Sequence, residues 1–503
     1  MFDESHPQKS DASTRFDPSG HVHTHTRVAL APGDGIGPEI TQSVVAILEA
    51  ANAPVRFVPV TLGEQSYLNG ASAGIDDQAW STLRDHRVLL KGPITTPQGG
   101  GYKSVNVTLR KSLGLFANIR PCRSWAPWIA TRHPDMDVLI VRENEEDTYA
   151  GIEHRQTQEL TQCLKLISRP GCERLIRYGF ELARAQGRKK VHCLTKDNIM
   201  KLTDGLFHQV FQEVASDYPD LDAQHLIIDI GTARLADQPE QFDVIIAPNL
   251  YGDILSDVAA QLTGSVGLGG SANIGPDFAM FEAVHGSAPD IAGQDVANPS
   301  GLLLAAVEML RYIGAHTSAD SIQYAWQAVM AERRHTADIF DPKHSTEKLG
   351  TQAFTQALID RLADAPTTAS ATTRWPDPKA LPINTPKRCD KTLVGVDVFI
   401  DYDQDGRHAQ RLGERIEAMA TSSGFALKLI TNRGVKVYPN GLPETTCTDH
   451  WRCRFKGWDD RPVTHRQVIS LLERFEAAGL DFIKIEHLYL FDDEPGFSLG
   501  QGE

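Results

Sequence analysis

Between Arg27 and about Leu362, short apolar runs alternate with stretches of helical period. The runs include Val88-Leu89-Leu90, Val138-Leu139-Ile140-Val141, Val191-His192-Cys193-Leu194, Leu226-Ile227-Ile228 and Val244-Ile245-Ile246. Runs of this kind suit strands buried on both faces, and the helical spacers between them predict an α/β architecture. After Pro38, residues Ile40, Val44, Ile47 and Leu48 fall on one face of a helix. The pattern lapses at residues 366–388, where Pro, Thr and Ala dominate and predict a linker. It resumes with strands expected at 393–400, 427–432, 450–455 and 482–490 and helices near 408–421 and 464–477. That β-α-β-β-α-β order predicts a ferredoxin-like α+β accessory domain over 389–503.

A chain of 503 residues exceeds one ordinary core and predicts two to four domains. The formal net charge of −15 argues against nucleic acid or an anionic membrane as a partner. The seven cysteines form no C-x-x-C pair, which fits a reducing cytoplasm rather than a disulfide framework or zinc site. No apolar run reaches the roughly 18–20 residues needed to span a bilayer. Residues 1–26 are polar and carry Asp3, Glu4, Asp11 and Asp17, unlike a signal or transit peptide, and read as a disordered extension. His21, His23 and His25 alternate there, a pattern that could take a metal but is read as part of the tail.

Three motifs carry chemistry. Pro32-Gly33-Asp34-Gly35-Ile36-Gly37-Pro38-Glu39 looks like a dinucleotide fingerprint, yet Pro38 takes the place of its third glycine. No acidic residue closes a strand about 20 residues on, so a structural turn with Pro38 opening a helix is the better reading. Lys91, Arg110, Arg120 and Arg142 lie at or beside element boundaries, interleaved with Ser104 and Asn106. In an acidic protein this set predicts a site for a multiply charged carboxylate. Asp253 and Asp257 are four apart, so both carboxylates project from one helix face and call for a cation between them. Hard oxygen ligands suit Mg2+ or Mn2+, with Asp229, expected at a strand end, as a third ligand.

The strings PGDGIGPE (32–39), KGPITTP (91–97), SVNVTLR (104–110), RENEEDTYAGIE (142–153), KDNIMK (196–201), NLYGDILSD (249–257) and EAVHGSAPDIAG (282–293) resemble, in order, the decarboxylating isocitrate/isopropylmalate dehydrogenases. The C-terminal stretch is similar to the extra domain of long-chain bacterial isocitrate dehydrogenases. The resemblance implies a fold that is not Rossmann. A large domain (27–115 with 264–365) and a small domain with its clasp (116–263) would flank a cleft. It implies that Ser104, Asn106, Arg110, Arg120, Arg142 and Thr96 hold isocitrate, with Tyr149 as general acid and Lys196 managing the hydroxyl proton. Asp229, Asp253 and Asp257 would bind the metal, whose Lewis acidity favours the enolate left by carbon dioxide. Thr95, Asn198, Glu282, His285, Gly286, Asp290, Ile291 and Asn298 would bind the dinucleotide. Lys196, Asn198 and Asp229 would reach a neighbouring subunit's site, which implies a homodimer or larger assembly.

The cofactor expectation is NAD. Asp290 and Ile291 stand where NADP-using relatives resemble a Lys-Tyr pair at the 2′-phosphate. A carboxylate there accepts from ribose hydroxyls and repels a phosphate by roughly 4 kcal/mol at an effective dielectric near 20. The expected preference for NAD is at least about a hundredfold. Isopropylmalate or homoisocitrate as substrate, NADP as cofactor, and a non-catalytic regulatory subunit are the alternatives. The polar SVNVTLR string disfavours isopropylmalate, and retention of Tyr149, Lys196 and all three aspartates disfavours a regulatory subunit.

Overall fold

Four of the apolar runs are strands because each is covered on both faces, whereas Leu226-Ile227-Ile228 is half-buried, closing the edge strand at Ile227 and opening a helix at Ile228. Val88–Lys91 and Val244–Ala247 have no exposed residue, and helices flank them. The structure, a computed structural model, describes residues 25–96, 104–365, 375–384, 388–420 and 423–501. Residues 1–24 of the expected extension, including His21 and His23, lie outside the described residues, as do 366–374 and 385–387 of the expected linker.

One ten-stranded sheet runs through the main body. Its order is Val55–Pro59, Thr26–Ala31, Val88–Lys91, Ala279–Ala283, Gly270–Ile274, Ala117–Arg123, Asp137–Glu143, Val244–Ala247, Lys190–Thr195 and Asp222–Ile227. Both wings pair in parallel, whereas the pairings from Ala279–Ala283 through Asp137–Glu143 are antiparallel. This mixed order is not a doubly wound Rossmann sheet. The helix Gly37–Ala50 opens with Pro38 in its first turn and buries Ile40, Val44, Ile47 and Leu48, the face its period predicts. Trp326 is fully buried, and its indole N–H donates to Ser300 Oγ at 2.8 Å, so the packing leaves no orphan donor there.

The C-terminal unit has its own core. Strands Lys391–Asp401, Phe425–Asn432, His450–Gly457 and Asp481–Phe491 pair antiparallel, with the first strand between the third and fourth, the ferredoxin-like order. Val435–Tyr438 and Glu494–Pro495 extend its two edges. Helices Ala409–Ala420 and His465–Ala477 set Leu412, Ile416, Leu471 and Phe475 against Val396, Val398 and Phe455. Thr464 and Gln467 form a capping box at the start of the second helix.

Polar contacts bind this unit to the hairpin Glu153–Arg155 and Thr161–Cys163. Thr157 Oγ1 donates to Asp449 at 2.5 Å, and Arg407 meets Glu159 at 2.8 Å. Trp375, within the stretch read as a linker, packs edge-on against Phe281 and Tyr312 at 6.4 and 6.0 Å.

Candidate active site

The site is assembled where the antiparallel middle of the sheet meets the helix Asn249–Leu262. That helix lies close against Arg142: a Cβ added to Gly252 would sit 2.7 Å from the Arg142 Cβ. Glycine is needed there for the approach, and the approach places Asp253 on the guanidinium. Arg142 bonds Asp253 through one nitrogen and Asn249 Oδ1 through two others at 2.7 and 2.9 Å. Arg120 donates to Ser256 Oγ at 2.6 Å and lies 3.2 Å from Asp253 and 3.5 Å from Asp257. Arg120 thus supplies part of the positive charge that the aspartate pair calls for.

Three arginines crowd this point. Burial and the neighbouring Arg120 and Arg110 pull the Arg142 guanidinium down to about 9, still charged at neutral pH. Burial would raise the Asp253 carboxyl, but Arg142 and Arg120 outweigh it and hold it below its ordinary value. Asp257 differs. Burial raises it, the adjacent Asp253 adds to that, and its side chain is 64 % exposed. The pair offers hard oxygen donors on one helix face, a donor set that fits Mg2+ or Mn2+.

Tyr149 donates to Asp253 Oδ2 at 2.5 Å, and the Arg142 guanidinium lies 4.9 Å over its ring. Burial and that hydrogen bond push the phenol up to about 12, which keeps it protonated and able to donate.

Ser104 caps the helix Val105–Ser112, with Thr96 Oγ1 donating to it at 3.3 Å. On the same helix the buried atoms Asn106 Oδ1 and Arg110 Nε have no hydrogen-bond partner. Such orphans are costly unless a ligand meets them. Lys91 is not part of this group. Its ammonium is buried 2.7 Å from Glu282, which also takes Arg110 at 2.8 Å and Asn273 at 2.9 Å. Burial would raise Glu282, but Lys91 and Arg110 outweigh it and hold the carboxyl far below its usual range. Glu282, expected at the dinucleotide, is an anchor for Arg110 in this structure.

Lys196 and Asp229 form a separate pair, 2.8 Å apart, with Asp229 largely exposed and Lys196 half-buried. Asp229 lies in the first turn of the helix Ile228–Asp237, not at a strand end, because the preceding strand closes at Ile227. Asn198 is exposed on the turn that follows Lys196. Among the described residues no hydrogen bond or ion pair joins this pair to Tyr149 and Asp253.

Of the expected dinucleotide residues, His285, Gly286, Asp290, Ile291 and Asn298 lie between the strand Ala279–Ala283 and the helix Ser300–Tyr312, with Thr95 on the facing loop. Gly33 and Gly35 take positive φ of 77° and 59°, and a Cβ on either would strike the carbonyl of Pro93 or Ser287 at about 2 Å. The glycine-rich turn is thus a junction between two loops, as its sequence suggests. Asp34 accepts the Thr95 N–H at 2.9 Å, and Thr95 Oγ1 meets Ser287 Oγ at 2.8 Å. Asn298 donates to Asp338 at 3.0 Å, and the buried His285 Nε2 has no partner beside the open Gly286. Ile291 packs against the main core, whereas Asp290 is exposed.

Residues 27–358 match the isocitrate/isopropylmalate dehydrogenase model, and 391–503 match that of the bacterial isocitrate dehydrogenase C-terminal domain. The chain belongs to the isocitrate/isopropylmalate dehydrogenase family. It is 50 % identical over 484 residues to an isocitrate dehydrogenase [NADP] of Rickettsia bellii, covering 95 % of this chain and 99 % of that one. An isocitrate dehydrogenase [NADP] of Thermus thermophilus is 42 % identical over 485 residues, covering 95 % and 96 %. The crystal structure of TT0538 protein from Thermus thermophilus superposes with a TM-score of 0.88 at 41 % identity, over 95 % of this chain and 96 % of that one.

These relatives overturn the expectation of an NAD-dependent enzyme. The physical error is one of dielectric. Asp290 is exposed, so its charge acts through water, where two unit charges 4 Å apart interact by only about 1 kcal/mol. That falls well short of a hundredfold preference, which takes about 2.8 kcal/mol.

The sequence reading also missed Asn249, which orients Arg142, and Asn118, which accepts from Arg120 Nε at 2.7 Å. It missed Asp338 and Glu39, which brace the loop after Ala279–Ala283 by accepting from Asn298 and Gly293, with Glu39 also taking Thr351 of the helix Thr351–Arg361. Asn249 opens the NLYGDILSD string and was within reach. Glu39 closes the PGDGIGPE string and was likewise within reach; Asn118 and Asp338 needed the fold.

Proposed function

We propose that the chain is an NADP-dependent isocitrate dehydrogenase that converts isocitrate to 2-oxoglutarate and carbon dioxide. The observation that carries this reading is the crowding of Arg110, Arg120 and Arg142 around Asp253, with the Tyr149 hydroxyl at its edge. Three guanidiniums fit a tricarboxylate in bidentate fashion. Ser104 and Asn106 supply polar contact where an isopropyl arm would need an apolar wall.

Asp253 and Asp257, with Asp229 of a second copy, would hold Mg2+ or Mn2+, and a divalent ion there supplies Lewis acidity for the developing enolate. NADP+, when bound, would supply the acceptor for the hydride. Lys196 takes the hydroxyl proton as hydride leaves the same carbon, giving a β-keto acid. The arginines keep its carboxylates in place while carbon dioxide departs. Tyr149 then gives its proton to the resulting carbanion carbon, and the charge left on its oxygen is met by Arg142 above the ring.

The separation of Lys196–Asp229 from Tyr149–Asp253 supports a site completed by a second subunit. Ile199, Leu202, Ile230 and Ile254 stand exposed on the turns and helices that carry these residues, which supports burial between copies. Steady-state kinetics with isocitrate and isopropylmalate, each with NADP and NAD, test the reading. It expects the highest kcat/KM for isocitrate with NADP and fails if another pairing exceeds it. Co-expression of Tyr149→Phe with Lys196→Ala tests the sharing. Each hybrid dimer contains one site with both residues intact, so about a quarter of wild-type turnover should return. Recovery no greater than the sum of the two single variants would mean that each chain holds its own site.

A further inference from the structure

Beyond the residues placed in the reaction, Asp197, His208 and His225 bring a carboxylate oxygen and two imidazole nitrogens within 4.8 Å of one another. They come from three elements: the turn after Lys190–Thr195, the helix Thr203–Ala215 and the strand Asp222–Ile227. His208 Nδ1 lies 2.7 Å from Asp197 Oδ2, and His225 Nε2 lies 3.8 Å from Asp197 Oδ1. The two imidazoles stack at 3.5 Å between centroids and 14° between planes. All three side chains are about one-fifth exposed, so the group is sheltered yet reachable.

We propose that Asp197, His208 and His225 form a binding site for a borderline divalent cation of the zinc class, distinct from the Asp253–Asp257 pair. Two imidazoles and one carboxylate are a ligand set for such ions, whereas magnesium prefers oxygen alone. Tetrahedral bonds of about 2.0–2.2 Å hold ligand atoms roughly 3.3–3.6 Å apart. His208 meets Asp197 Oδ2 at 2.7 Å and His225 faces Oδ1 at 3.8 Å. Ligation through one carboxylate oxygen therefore requires Asp197 and His208 to reposition within a group whose ligand atoms already lie within 4.8 Å. Water takes the fourth position.

The proton bookkeeping closes without an added base. His208 Nδ1 bears a proton toward Asp197, and its Nε2 accepts from Gln212 Nε2 at 3.0 Å. On binding, that proton moves to Nε2, the Gln212 amide turns to accept it, and Nδ1 is freed for the ion. His225 Nε2, 2.9 Å from Thr195 Oγ1, binds once its proton resides on Nδ1. The ion would pin the turn carrying Lys196 to the neighbouring helix and strand.

The test uses the full chain, stripped with a chelator, with the exposed thiols Cys163 and Cys389 alkylated in every arm. Zinc is counted by equilibrium dialysis, and cobalt is used for its visible spectrum. Wild type should bind one more zinc per chain than His208→Ala or His225→Ala, and its cobalt form should show the intense bands of a tetrahedral site. Ligand loss should weaken binding by at least about tenfold, the lower end of what outer partners alone cost. Zinc should also raise the unfolding temperature of wild type but not of either variant. The combined Asp253→Asn and Asp257→Asn variant should retain the zinc and the spectrum. Equal stoichiometry in wild type and both histidine variants, a six-coordinate cobalt spectrum, or loss of the zinc with the Asp253 and Asp257 changes would each overturn the proposal. If the alanine variants fail to fold, Asp197→Asn and His208→Gln are read by the same criteria.

Discussion

The arginine cluster and the loop after Ala279–Ala283 both carry carboxylates, yet charge decides far more in one than in the other. Lys91, Arg110, Arg120, Arg142 and Glu282 are all buried, so the Glu282 carboxylate is held well below its usual range by the two cations it touches. On the loop after Ala279–Ala283, Asp290 faces water, and neither its pairing nor its repulsion is amplified. Residue identity predicts chemistry reliably only where the fold removes solvent.

The largest effect is expected at Tyr149. Replacing it with Phe removes the phenol proton while Arg142, Arg120 and Asp257 remain in place. Turnover should fall on the order of 10²–10⁴-fold with little change in KM for isocitrate. An unchanged kcat would remove the phenol from the mechanism.

Glu282 probes the buried side as a matter of stability. Glu282→Gln leaves Lys91 without a counter-charge in a site that is 1 % exposed at the lysine. Breaking a buried pair from one side costs about 3–5 kcal/mol, and Arg110 would lose its anchor as well. Denaturant unfolding should show that loss; a cost below about 1 kcal/mol would mean that water enters to solvate Lys91.

The same residue sets a pH dependence. The folded-state value of Glu282 is depressed, so its contribution is complete above the unfolded value of about 4.3 and is lost as pH falls below that. Wild type should therefore lose stability more steeply than Glu282→Gln in acid, measured as unfolding temperature against pH. Parallel curves would show that the acid transition belongs to other groups.

Much of this was legible beforehand, and the boundary has a physical cause. The apolar runs and the C-terminal β-α-β-β-α-β order were readable because burial imposes a period on the chain. The four-residue spacing of Asp253 and Asp257 put them on one face, and Arg142 and Tyr149 were found through their strings. Partner choice was not readable. Lys91 looks like one more substrate cation until Glu282, its register partner 191 residues on, is seen 2.7 Å away. Asp229 was read as closing a strand because Leu226-Ile227-Ile228 is apolar throughout, but the helix begins at Ile228. Asp290 was misjudged because a sequence carries charge but not dielectric.

Asp290 also yields the smallest expected effect, and it sharpens the comparison most. Asp290→Asn keeps the shape of the loop: the Asp290 carbonyl, not its side chain, accepts from Gln294 at 2.7 Å, and Ile291 stays against the core. Only an exposed charge is lost. At about 4 Å from a 2′-phosphate in water that charge is worth about 1 kcal/mol, less with salt, which is at most about fivefold in the ratio of kcat/KM for NADP over NAD. The ratio should rise by no more than this and should shrink toward no change as ionic strength increases. A shift of a hundredfold or more, insensitive to salt, would show that the loop closes over the dinucleotide and excludes water. The contrast between the two regions would then hold only for the unliganded chain.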